Sequence, residues 1–161
     1  MELTANPDVV ITFAVNRYLS VTQGTMLAPG ANPDVTADLV SDATGRVSRR
    51  SNGSFEATGS DPPGNNPFVV QIEVLPAGAF AVEDLIIRNV HNISEGGVAW
   101  DDVRVGSGAN DYTVTLKDRG RKPANVASIA YELYLLIKPK QAIADFPVGD
   151  VGLIDPLWTN R

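Results

Sequence analysis

The chain has 161 residues, with 13 Lys and Arg against 19 Asp and Glu, a formal charge of −6 and no cysteine. That length suits one domain, residues 1–161, able to bury a core without staples. The missing cysteine excludes disulfides, thiolate catalysis and zinc–thiolate sites, and the acidic balance, with a pI near 4.6, argues against a nucleic-acid partner, because gripping phosphate needs a basic surface.

From the N-terminus, Met1 to Asp8 lacks the basic and apolar regions of a signal peptide, and no run approaches the ~18 apolar residues of a membrane span. A cytoplasmic protein with no membrane partner is the expectation. Asp8 to Val15 reads as a first strand, and Arg17 to Thr22 continues it after a bend. Gln23 to Pro33, with Gly24, Pro29, Gly30 and Pro33, cannot be a regular element. Val35 to Ser41 alternates weakly. Asn52-Gly53 is a strong hairpin signal, because a type I′ turn needs positive φ at both central residues. It sets Arg46–Ser51 against Ser54–Ala57, and Thr58 to Pro67 follows as a loop.

Phe68 to Leu75 places Phe68, Val70, Ile72 and Val74 on one face, the period of a half-buried strand. Phe80 to Asn89 supplies another, and Asn92 to Gly97 turns. Val98 to Val105 changes phase near Asp101-Asp102, which predicts a β-bulge. Gly106 to Asn110 turns again, Tyr112, Val114 and Leu116 share a face, and Asp118 to Lys122 reads as a charged turn. Val126 to Lys138 is the longest alternating run: Ala127, Ile129, Tyr131, Leu133, Leu135 and Ile137 hold one parity. With Tyr and Ile favouring strand and Pro123 and Pro139 bracketing it, the run predicts the central strand of a sheet. After Pro139 the chain reads as irregular, with a helical turn at Gln141 to Asp145.

The sum is an all-β protein, an antiparallel β-sandwich or jelly roll of about eight to ten short strands, with an N-terminal arm 1–7 and a C-terminal arm 139–161. The arms are the segments expected to cross to a neighbouring copy.

Residues able to carry chemistry are few. His91 is the single histidine, and it has no Gly-x-Ser-x-Gly elbow beside it. Asp8, Asp34, Asp38, Asp42, Asp101 and Asp102 offer oxygens to a cation, but in no calcium-loop spacing, so each reads as a cap on backbone N–H groups. Arg46, Arg49 and Arg50 form the one tight basic cluster, beside a turn. No cofactor or metal is expected. Trp100, Trp158 and Tyr112 are candidates for stacking on a sugar ring, against the commoner role of aromatics in sheet packing.

The terminus, Gly152-Leu-Ile-Asp155-Pro156-Leu-Trp158-Thr-Asn160-Arg161, carries one reactive bond. An Asp carboxyl can attack its own carbonyl carbon, and the proline nitrogen leaves once protonated. Asp155 and Pro156 are therefore a candidate scissile pair, if the fold desolvates the carboxyl and twists the amide. The ordinary role of Asp-Pro is a turn, with Leu157 and Trp158 tucking the tail against the sheet, and Asp61-Pro62 repeats the dipeptide in a polar loop.

A strand and then a turn with Asp118, a long Tyr-bearing strand and a closing Ile-Asp-Pro-x-x-x-Asn together resemble the small bacterial β-sandwich proteins of the DP-EP family. The same region, residues 111–161, is similar to the C-terminal pattern of inclusion-body (PixA/AidA-type) proteins. The resemblance implies a β-sandwich that commonly oligomerises and, for the DP-EP branch, self-cleavage at Asp155–Pro156 by chemistry compared with aspartic peptidases. This chain has no Glu-Pro dipeptide, and cleavage would release only Pro156 to Arg161. Without a fuller catalytic constellation, the leading expectation is a non-enzymatic subunit of a homo-oligomer, filament, shell or virion-like particle.

Overall fold

The computed structural model describes residues 6–17, 34–51, 53–58, 67–89, 100–118, 129–140, 152–154 and 157–160. Within them the chain is all-β. The strands are β1 (Val9–Arg17), β2 (Asp34–Asp42), β3 (Val47–Arg49), β4 (Phe55–Ala57), β5 (Phe68–Leu75), β6 (Phe80–Asn89), β7 (Trp100–Val105), β8 (Thr113–Asp118), β9 (Ile129–Pro139), β10 (Gly152–Ile154) and β11 (Leu157–Asn160). The described helix is a single 3-10 turn, Gly108–Asn110, so no described helix is long and apolar enough to cross a membrane.

One sheet runs β2-β1-β5-β8-β7. In the other, β9 is central: β6 lies along one side and β10 and β11 along the other, followed by β4 and β3. The alternation read in β5 and β9 is the alternation that folds. Phe68, Val70, Ile72 and Val74 are buried, as are Tyr131, Leu133, Leu135 and Ile137, while the residues between them are half-exposed. With successive side chains on opposite faces, one parity of each strand leaves water. Each fully buried Leu, Ile or Phe stabilises the fold by about 1.5–3 kcal/mol before chain entropy is counted. The sheets meet through these faces. The Phe13 ring of β1 stands edge-on to the Phe55 ring of β4, with centroids 6.1 Å apart.

Several details depart from the sequence reading. The sheets are mixed rather than purely antiparallel, because β1 lies parallel to β5 and β4 parallel to β11. The β3–β4 hairpin forms, but its turn is one residue longer than a type I′ turn. Arg50 N–H donates to Ser54 O at 2.8 Å and Gly53 N–H to Arg50 O at 2.9 Å, with Gly53 at φ 83°. Three residues separate Arg50 from Ser54, the length of a three-residue hairpin loop, which places a left-handed glycine before its second strand. The bulge in β7 is present, as a register shift between Asp101 and Arg104. The expected segments at Arg17–Thr22 beyond Arg17, Gln23–Pro33, Asn92–Gly97 and Gln141–Asp145, most of the loop Thr58–Pro67 and most of the N-terminal arm lie outside the described residues.

The largest correction concerns the C-terminal arm. Residues 152–154 and 157–160 are strands of the domain's own sheet, with Ile154 2% and Trp158 0% exposed. Ile154 pairs with Leu135 and Leu157 with Glu132, so the register on β9 is the same before and after residues 155–156. The described part of this segment packs into the domain's own core, where the sequence reading expected irregular chain.

Candidate functional site

Most of the singled-out residues sit where side chains hold the sandwich together. Trp158 is central to it. It lies opposite Tyr131 on one side and Phe55 on the other. Its ring stacks on Phe55 at a centroid distance of 6.0 Å, and its indole N–H donates to Asp118 Oδ2 at 3.1 Å. Both residues are 0% exposed, so the bond crosses from β11 of one sheet to β8 of the other inside the core. A buried carboxylate is costly unless hydrogen-bonded, and the indole supplies one of its donors. Trp158 therefore offers no face to a sugar. Asp118, expected in a turn, closes β8 instead. The signal was available, because Asp118 continues the parity of Val114 and Leu116.

Tyr112 is half-buried in the turn before β8, and its carbonyl accepts a 2.9 Å bond from Val74 N–H. Trp100 opens β7 opposite Asp118, and its side chain lies outside the described residues, as do Asp155, Pro156 and His91. The sugar-stacking trio is thus divided between core, turn and edge strand.

Of the aspartates considered as cation ligands, Asp8 and Asp42 bond to the backbone, and the side chains of Asp34, Asp101 and Asp102 lie outside the described residues. Asp8 Oδ2 accepts from Val69 N–H at 2.9 Å. Asp42 Oδ1 accepts from Thr44 N–H and its hydroxyl, and Asp42 Oδ2 from Val47 N–H at 2.9 Å. Burial pushes the Asp42 carboxyl up, but these bonds, with one from Gly45 N–H, outweigh it and hold the pKa below its ordinary value of 3.8. Among the described residues no group of three His, Cys, Asp or Glu is placed to hold a metal ion. The basic cluster is likewise internal in its contacts: the Arg46 guanidinium lies 4.7 Å over the Phe68 ring, and Arg50 pairs with the buried Glu56.

The described surface also carries apolar side chains. Among the described residues the exposed large hydrophobics are Val40 at 59%, Ile86 at 49%, Val103 at 39% and Val105 at 38%. They lie on β2, β6 and β7, each at a sheet edge among the described strands. An edge strand presents unpaired N–H and C=O groups that another strand can use. Nothing in the composition marks those strands as edges, so this surface was not legible in the sequence.

The architecture defines a two-sheet β-sandwich whose buried polar groups are structural and whose candidate contact surface is its set of sheet edges. Comparisons with protein-family models, with curated proteins and with solved structures find no match.

Proposed function

We propose that the chain is a non-enzymatic assembly subunit, a β-sandwich that works by associating with copies of itself. One observation carries the reading: among the described residues, the exposed large apolar side chains, Val40, Ile86, Val103 and Val105, all lie on edge strands. A sheet edge with apolar side chains is the usual template for strand addition. Edges, rather than the C-terminal arm, are then the contact surfaces, since β10 and β11 are used within the domain. Native mass measurement and sedimentation across concentration test this. A defined oligomer or a growing fibre is expected, visible as a particle by negative stain. A monomer persisting at the highest attainable concentration overturns it.

A further inference from the structure

Resting on that reading, we propose that a second copy adds antiparallel along β6, about a two-fold axis passing through Ile86. The other described edges are poorly suited to self-pairing. On β2 the charged residues are Asp34, Asp38 and Asp42, with no cation, so a pairing centred on Asp38 sets acid against acid. Strand β7 is interrupted by its register shift between Asp101 and Arg104, and β3 has 3 residues.

Strand β6 has 10 residues and pairs with β9. Its first half is occupied, because Val82 N–H donates to Asp111 O at 2.8 Å and the register shifts between Val82 and Asp84. Beyond the shift the ladder is regular to Asn89. Leu85 N–H bonds to the Asp84 side chain, Oδ1, at 2.8 Å, which marks Leu85 as turned away from β9. Alternation gives Ile87 and Asn89 the same aspect.

An axis through Ile86 pairs Leu85 with Ile87 of the second copy, matching the backbone groups that face outward. The same register sets Asp84 opposite Arg88 of the second copy on each side of the axis, and Ile86 opposite itself. Such an interface is self-complementary, as two-fold symmetry requires. A slip of one residue turns the wrong backbone groups toward one another. Asp84 thus caps the edge in the free chain, at the register position that comes opposite position 88 of the second copy.

The chain has no cysteine, so one introduced thiol reports the geometry. A residue facing itself in the non-hydrogen-bonded position has a Cα separation of about 4.5 Å, within disulfide range. In the full chain, mild oxidation of Ile86→Cys is expected to give a covalent dimer in high yield, while Val40→Cys does not. Asp84→Arg is expected to weaken association at least about tenfold, and adding Arg88→Asp to restore it to within about threefold, as a reciprocal charge pair demands. Circular dichroism and thermal melts verify that these surface variants fold. A wild-type oligomer with no Ile86→Cys dimer, or one unmoved by Asp84→Arg, overturns this interface and leaves the assembly reading standing. A wild-type monomer overturns both.

Discussion

The hydrogen bond joining the two sheets allows the sharpest test of the core. Trp158→Phe keeps a ring against Phe55 but removes the N–H that Asp118 Oδ2 accepts at 3.1 Å. Both partners are 0% exposed, so water cannot replace the donor without opening the core. Depriving a buried carboxylate of one donor costs about 1–3 kcal/mol, and the smaller ring adds a cavity of about another 1 kcal/mol. Against a domain stability of about 5–15 kcal/mol, Trp158→Phe should fold with a lowered urea midpoint. Trp158→Ala, at about 3–5 kcal/mol for the lost side chain plus the donor, should lower that midpoint further still. Asp118 has a further interaction of its own, so its substitution alone does not isolate the bond. A double-mutant cycle with Asp118→Leu does: where no carboxylate is left to satisfy, Trp158→Phe should cost about 1–2 kcal/mol less than in the wild type. Costs that add within about 0.5 kcal/mol would show no coupling and refute the argument.

Gly106→Ala should destabilise by about 1–3 kcal/mol in urea unfolding, because its Cβ would stand 2.1 Å from Asn110 O and 2.5 Å from Thr113 Oγ1, one of them backbone. Asp42, with its folded pKa below 3.8, contributes stability that is present above the unfolded value and lost as pH falls through the folded one. The urea midpoint of wild type should therefore fall more steeply than that of Asp42→Asn below about pH 4; parallel curves would remove Asp42 from the acid response. Truncation after Asp155 should yield no stably folded protein by circular dichroism, since β11 and Trp158 leave with the tail. Self-cleavage at Asp155–Pro156 is read by intact mass over time near pH 4–6, with Asp155→Asn as control, and an unchanged mass excludes it.

How much was legible follows from how far each signal reaches. The strand at Phe68–Leu75 matches its sequence reading residue for residue, and β9 runs Ile129–Pro139 within and just beyond the alternating run. The exposed β-edge residues gave no such sign, because Ile86 and Val103 have the same apolar character as the residues that found partners. Asp118 was misjudged as part of a turn for a related reason: a carboxylate looks like solvent-facing charge until the indole that satisfies it is in place, and that indole lies 40 residues away.

By itself the sequence determined that this protein is all-β, where most strands lie and which parity of β5, β8 and β9 faces inward, since a period of two is written in neighbouring residues. Only the tertiary structure decided that β1 lies parallel to β5, and that β11 enters the sheet between β9 and β4. Those pairings join segments distant in the chain, and their free energy comes from buried contacts such as Phe55 with Trp158, which leave no local pattern in either segment.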